Sequence, residues 1–565
     1  MDLNMEKVKT KTDGFTLKVN GYYLHSKYNP EREAKQFAEQ YFKKNHFHIL
    51  FGNGLGYITK ALLEKINEKS SLLVVDPIKD ELKQFEMHNS NKSNFIKQLT
   101  NENYGTYLEA NLDNFNRKVT IISSPNYEKL FPTEYKELLK LVKAKLNLNI
   151  INENTIRSFA ETWQNNYINN LFYAKRDYSM NVLNKKFNCP VVIASGGPSL
   201  TKQIPLLKEN LERLILIASG STINTLLSHG IEPDFVISID GGEKNYEHFQ
   251  QLELKKSHLI YSMTNHHKIR ESFHSNCFFF LSNEFVNYKD IIEHTLDKEV
   301  PIILGGGSVA NYAFSIASYI SDGPIAIIGQ DLAYTFNKTH AENNKHYKVI
   351  DDRYREERGM FYVKGYNNEY VLTDYAFLSM KESFERLVNL VKHENSIFNC
   401  TEGGILLEGY KHEAFDSFCN KYAVKKIQKD TSITYEIIDY EDFTEKIKEE
   451  ILNYNRIITC LNMGLGALAN NKSNVTFSKN TLGKLKKVDE EIRKLCSKVS
   501  MSTIINPITI DILKNYQEKE GETTNETFNR IYNQNIELYS RLLEAATISK
   551  KYTENLLRKL KFWKG

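Results

Sequence analysis

Residues Ile325–Glu342 read IAIIGQDLAYTFNKTHAE, and this stretch decides the fold class. An apolar run, Ile325–Ile328, stops at Gly329-Gln330-Asp331. Hydrogen-bonding side chains follow at once: Tyr334, Thr335, Lys338, Thr339, His340 and Glu342. A short, continuous apolar run that ends in polar residues reads as a buried parallel strand opening into a ligand crevice at its carboxyl end. Upstream strands end the same way, so the stretch predicts a sugar- or nucleotide-sized site.

Working outward, apolar runs predict strands at Val191–Ala194, Leu214–Ala218, Phe235–Ile239, Leu259–Ser262, Cys277–Leu281, Ile302–Leu304 and Ile325–Ile328. Helical patterns lie between them, most clearly Ser308–Ile320. Alternating β and α predicts a mostly parallel, doubly wound sheet. A similar but shorter alternation opens the chain. Phe47–Phe51 is a predicted strand, Gly52-Asn53-Gly54-Leu55-Gly56 a turn and Tyr57–Asn67 a helix. Leu72–Val75 follows as a strand ending in Asp76, twenty residues after Gly56, and Val119–Ser123 is a later strand. Beyond residue 425 the period becomes helical. Three stripes predict a bundle: Phe443/Ile447/Ile451/Tyr454/Ile458, Leu482/Leu485/Val488/Ile492/Leu495 and Leu538/Leu542/Ala545/Ser549/Tyr552/Leu556. The expected organisation is therefore a Rossmann-like α/β domain at 1–150 and a helical connector at 151–187. A central α/β domain at 188–424 and a helical domain at 425–565 complete it.

Composition bounds the function. Of 565 residues, 41% are hydrophobic and 25% charged, and the formal charge is +4, which gives no footing for nucleic-acid binding. Six cysteines, Cys189, Cys277, Cys400, Cys419, Cys460 and Cys496, form no CxxC pair, so neither a zinc site nor a disulfide framework is expected. No run approaches a membrane span and the first residues carry no apolar signal segment, so a cytoplasmic protein is expected.

Several loops carry chemistry. The Gly52–Gly56 turn, with Asp76 where a ribose-binding acid would stand, resembles a dinucleotide or methyltransferase loop, but it lacks the final glycine of that pattern. It reads equally as a structural turn. Ser195-Gly196-Gly197-Pro198-Ser199 follows a strand and opens a helix, a design that admits a phosphate close to backbone amides. Ser219-Gly220-Ser221-Thr222, Asp240-Gly241-Gly242 and Gly305-Gly306-Gly307-Ser308 repeat it. One such loop reads equally well as a plain βα turn; four along one sheet point to a ligand. Asp240 has no second acid two residues away, so it reads as a ribose or base acceptor or a turn residue rather than a metal ligand. His340 stands just past a strand end, as a catalytic or substrate-contacting histidine would. His266 and His267 form a secondary pair.

The combination of ASGGPSL at Ala194–Leu200, SIDGG at Ser238–Gly242, GGSVA at Gly306–Ala310 and GQDLAYT…THAE at Gly329–Glu342 resembles the motility-associated factor (Maf) flagellin glycosyltransferases. YYLHSKYNPEREA at Tyr22–Ala34 and TEGG at Thr401–Gly404 extend the resemblance over roughly residues 20–410. It implies a central domain similar to bacterial sialyltransferases (GT-A-like) and a helical domain that meets flagellin. The implied reaction moves a nonulosonic acid of the pseudaminic or legionaminic type from its CMP-sugar to Ser or Thr of flagellin. On this reading Gly196, Gly197, Ser199, Gly306, Gly307 and Ser308 hold phosphate and ribose, and Ser219, Thr222 and Asp240 contact the nucleotide. Gln330 and Asp331 orient the donor sugar, and His340 is the general base. CMP carries a single phosphate, so no metal and no further cofactor are expected. Two alternatives stand beside it: a pterin diphosphokinase, which resembles the central domain alone and would need ATP and magnesium, and a non-catalytic flagellin-binding protein.

Overall fold

The computed structural model describes residues 3–67, 70–78, 98–99, 112, 118–391, 396–431, 438–471, 476–519 and 521–562. The chain forms two α/β sheets and a carboxyl-terminal all-helical region, in two compact units. One unit is Met1–Arg157 with Leu513–Gln517; the other is Ser158–Ile512 with Glu518–Gly565.

In the first unit, strands His46–Phe51, Ser71–Val75, Gln98–Leu99 and Lys118–Ser123 make a parallel four-stranded sheet, with His46–Phe51 paired to both Ser71–Val75 and Lys118–Ser123. The predicted strands fall within these bounds. The helix after the glycine turn is shorter than expected, Tyr57–Leu63. An antiparallel meander, Met5–Lys9, Phe15–Val19 and Tyr22–Tyr23, precedes the sheet. It had no clear sequence signal because its strands are short and their burial does not alternate cleanly. Leu17, Val19, Phe47, Ile49, Phe51, Leu73, Val75 and Tyr127 form its main core.

In the second unit a ten-stranded sheet runs in the order Ile302–Ile303, Cys277–Ser282, His258–Ser262, Phe235–Ser238, Ile215–Ser219, Val191–Ala194, Ile325–Ile328, Ile397–Asn399 and Lys411–His412, with Tyr178–Ser179 also paired to Cys277–Ser282. All of these pairs are parallel. The residues explain this. Val191–Ala194, Phe235–Ser238 and Ile325–Ile328 are buried at every position, as strands covered on both faces must be. One face is closed by a cluster including Ile193, Ile217, Phe235, Phe278, Phe280, Phe314 and Ile327. The other is closed by Val192, Leu216, Val236, Tyr261, Phe279 and Ala326 with Tyr167 and Leu171 of the long helix Pro132–Ala174.

The strand order fixes where a ligand can go. From Val191–Ala194 the chain adds strands on one side as far as Ile302–Ile303. It then crosses over and places Ile325–Ile328 on the opposite side of Val191–Ala194. This reversal makes a topological switch point, and the loops leaving the two strands diverge around a crevice. Two strands beyond it, Ile397–Asn399 and Lys411–His412, are too short to read from sequence. The hairpin Phe361–Lys364/Tyr370–Thr373 is an insertion between Ile325–Ile328 and Ile397–Asn399.

The helical region holds four long helices, Tyr440–Ala469, Lys479–Cys496, Ser502–Asn515 and Thr524–Phe562, where three stripes were predicted. The additional helix, Ser502–Asn515, contains Pro507, which obscured it. Phe443, Ile447, Leu556 and Leu560 belong to the same buried cluster as the sheet strands, so the first and last of these helices share the core of the second unit. No helix among the described residues is long and apolar enough to cross a membrane.

Candidate functional site

At the switch point, the loop after Val191–Ala194 and the loop after Ile325–Ile328 are clamped together. Gly197 donates its N–H to the Gly329 carbonyl at 2.8 Å. Ser199 donates its N–H (3.2 Å) and its hydroxyl (2.8 Å) to the same carboxylate oxygen, Oδ2 of Asp331. The Ser199 hydroxyl is therefore withdrawn from capping the helix Leu200–Asn210, which has no side-chain cap. Asp331 is 1% exposed. Burial pushes its carboxyl pKa upward, while the two hydrogen bonds from Ser199 oppose the shift.

Glycines are required where these loops touch. A Cβ on Gly197 would stand 2.1 Å from Asp331 Oδ2 and 2.5 Å from the Gly329 carbonyl oxygen. Gly329 has φ +66°, and a Cβ there would lie 2.3 Å from the Ser195 carbonyl oxygen.

Around the clamp lie polar groups with nothing to bind. Ser195 Oγ and Gln330 Oε1 are buried without a hydrogen-bond partner, as is Nδ1 of the half-buried His340. Such groups are uncommon in a folded protein, and these three stand on the loops that leave Val191–Ala194 and Ile325–Ile328. Thr222 Oγ1, Asn344 Nδ2 and His340 Cδ2 lie 3.0, 3.3 and 3.7 Å from the Cβ position of Gly196. Ala341 donates its N–H to the Gly196 carbonyl at 3.0 Å, and Glu342 donates its own to Thr201 Oγ1 at 3.2 Å, so the 335–342 loop lies across the start of the helix. Burial, and then the neighbouring His346, push the His340 pKa down, which leaves a neutral imidazole near pH 7.

The structure thus brings together Gly196, Gly197, Ser199, Thr222, Gln330, Asp331 and His340. Ser219 ends its strand in register with Ile237, next to open space at Gly220. Asp240, exposed at the end of Phe235–Ser238, accepts the Gly242 N–H on one oxygen at 2.8 Å. Behind it Ser238, Asn245 and Asn265 form a buried network, and His266 contacts Glu243 at 3.0 Å. His267 is held by Asn166 at 2.9 Å. The Gly305–Ser308 loop has other neighbours. Gly306 and Gly307 face Ser383 and Met380 of the helix Tyr375–Leu390, and Ser308 caps the helix Val309–Ile320.

Sequence reasoning missed three supports. Gln203 accepts the Gly329 N–H at 3.1 Å and donates to the Cys400 carbonyl. Thr401 accepts the Gln330 N–H at 3.1 Å. Asn344 bridges to Ser221 at 3.1 Å. Only Thr401 had a signal, as the first residue of the TEGG stretch.

The glycine loop of the first unit has a different character. Asp76 Oδ2 accepts the N–H groups of Asn53 (2.8 Å) and Gly54 (3.2 Å) and the Tyr127 hydroxyl (3.1 Å). Leu55 donates its N–H to His25 Nε2 at 2.8 Å. The amides that would hold a phosphate are already held by this chain's own side chains.

Residues 165–337 match the family model described as 6-hydroxymethylpterin diphosphokinase MptE-like. The structure of the MAf glycosyltransferase from Magnetospirillum magneticum AMB-1 is similar at 15% identity and a TM-score of 0.49, covering 98% of this chain and 91% of that one. No curated protein matches the chain. The family model corrects the expectation drawn from sequence. It describes a diphosphokinase, and it falls on the sheet and crevice where a CMP-nonulosonic acid was expected. A diphosphokinase cleaves a phosphoanhydride, whereas a nonulosonic acid transferase cleaves the bond at an anomeric carbon. The transfer of a nonulosonic acid from a CMP-sugar to flagellin is withdrawn with it.

Proposed function

We propose that the second unit is a nucleotide-dependent diphosphotransferase, passing a diphosphate from ATP to the hydroxymethyl group of a pterin-like ring. The observation that carries the reading is coincidence in place. The matched segment begins in the helix that supplies Asn166 and Asn170, spans the strands on both sides of the switch point, and includes Gly196–Ser199, Asp240 and Asp331.

In this reaction the hydroxymethyl oxygen forms a bond to the β-phosphorus, the bond from that phosphorus to the α,β-bridging oxygen breaks, and AMP leaves. The hydroxyl proton must pass to a base. Gly196, with no side chain, lets the phosphates approach the crevice closely, while the amides of Gly197, Ser199 and Leu200 are already taken by Gly329, Asp331 and Gly197. Asp331 is a positioning residue: it ties Ser199 to the opposite loop and keeps the crevice in shape. Thr222, Ser195 and Gln330 supply hydrogen bonds to the bound nucleotide. His340, neutral and unpartnered at Nδ1, takes the proton; it lies three residues beyond the matched segment.

Such a donor brings magnesium, which neutralises charge on the phosphates. Magnesium held by phosphates takes one or two carboxylates from a protein. The described residues contain no cluster of three His, Cys, Asp or Glu, and the exposed Asp240 fits the role of a single carboxylate. Adjacent strands are ~4.8 Å apart, so the end of Phe235–Ser238 lies about 10 Å from that of Val191–Ala194, within the reach of a nucleotide.

Titration of the full chain with ATP and magnesium tests the binding half. Saturable binding that is lost in Gly197→Ala is expected. Binding of equal strength in Gly197→Ala would remove the crevice as the site.

A further inference from the structure

Two histidines on the rim of the crevice stand in an arrangement the transferase reading does not use. His248, on the helix Glu243–Phe249, and His346, six residues past His340, face each other with their Nε2 atoms 3.3 Å apart. Their rings are nearly perpendicular, at 88°, with centres 4.9 Å apart. Zinc-to-imidazole bonds of ~2.0–2.1 Å at a tetrahedral angle place two ligand nitrogens about 3.3–3.4 Å apart. The pair therefore already has the edge length of a tetrahedral metal site.

From this spacing we infer that His248 and His346 bind a late first-row divalent cation, zinc foremost, with its remaining positions open to water or to an anionic group at the crevice. The surrounding contacts hold His346 in place for this. Its N–H goes to Asn344 Oδ1 at 2.9 Å, and its carbonyl accepts the Thr339 hydroxyl at 2.7 Å. Asn344 is itself tied to Ser221 across the crevice. Imidazole and this class of metal suit each other, since both are of borderline softness. No group of three His, Cys, Asp or Glu is found among the described residues, so the pair supplies one ligand fewer than the three of an open zinc site, and water or an anion must fill the other positions. The inference does not depend on which group the enzyme transfers.

The bland competitor is a single N–H···N hydrogen bond between the two rings. Cobalt titration separates the two, using the full chain with any purification tag removed. The visible absorption of four-coordinate cobalt should grow to saturation at one metal per chain and be displaced by zinc. His248→Ala and His346→Ala should each weaken binding at least about tenfold. His248→Gln and His346→Gln, which keep a polar side chain, should weaken it as well, and His274→Ala should not. Metal-free melting temperatures equal to that of the parent chain show that the variants fold. Absence of saturable absorption, or its survival in either alanine variant, would overturn the inference and leave the hydrogen bond.

Discussion

Ser199 gives both of its hydrogen-bond donors, the backbone N–H and the hydroxyl, to one oxygen of Asp331, 132 residues away in sequence. This double contact joins the two loops that diverge at the switch point.

Replacing Asp331 with alanine leaves two buried donors without an acceptor. Each costs about 1–3 kcal/mol, so Asp331→Ala should lose about 3 kcal/mol of stability along with nucleotide binding. Trp163 belongs to the second unit, so urea unfolding followed by tryptophan fluorescence reports on that unit. An unchanged midpoint would show that the clamp does not matter.

Two glycine substitutions should move in opposite directions. Gly197→Ala forces a methyl group to 2.1 Å from Asp331 Oδ2 and to 2.5 Å from a backbone oxygen that cannot step aside. It should destabilise the second unit and abolish binding. Gly483, within the helix Lys479–Cys496, has open space at its Cβ position, and Gly483→Ala should stabilise by up to about 1 kcal/mol. Differential scanning calorimetry on the two variants checks the contrast, and a shift of the same sign in both would refute it.

The first unit should weaken in mild acid. Burial lowers the His25 pKa from 6.5 to about 4, and its Nε2 must remain unprotonated to accept the Leu55 N–H. Between those values the unfolded chain binds a proton that the folded chain does not. Stability is therefore full above pH 6.5 and falls as the pH drops toward 4, by about 3 kcal/mol in all. Circular dichroism, which sees both units, should show a first loss of signal or of thermal stability between pH 6.5 and about 4 that tryptophan fluorescence does not. His25→Gln should flatten that dependence; if the transition keeps its slope in this variant, another group causes it.

Removal of residues 425–565 should unfold the second unit rather than detach a separate module. Phe443, Ile447, Leu556 and Leu560 lie in the sheet's own buried cluster. Each loses about 1.5–3 kcal/mol of burial, which together is comparable to a typical domain's whole stability of about 5–15 kcal/mol. A truncated chain that melts cooperatively at the parent temperature would contradict this.

Much of the central fold was legible because buried parallel strands leave a plain signal. Val191–Ala194 and Ile325–Ile328 were read with the bounds they have, and the other runs of this sheet to within a residue or so. Elements with weak patterns were lost: the two-residue strand Lys411–His412, the inserted hairpin at Phe361–Thr373, and the helix broken in pattern by Pro507. The glycine loops marked where chain meets crevice. They could not show that Gly306 turns toward Ser383, or that Gln203 and Asn344 complete the clamp from a distance, because those contacts depend on strand order. The chemistry was read least well. A resemblance carried by short loop motifs pointed to a sugar donor, and loops that cradle a phosphate look alike whether the phosphate belongs to a CMP-sugar or to ATP.

The most direct measurement is of products. The purified full chain is incubated with ATP, magnesium and 6-hydroxymethylpterin, and the mixture is resolved by mass spectrometry. The account predicts AMP and the pterin diphosphate in equal amounts, with His340→Ala slower by about 10²–10⁴-fold. ADP in place of AMP, or no AMP above the protein-free control, would contradict it.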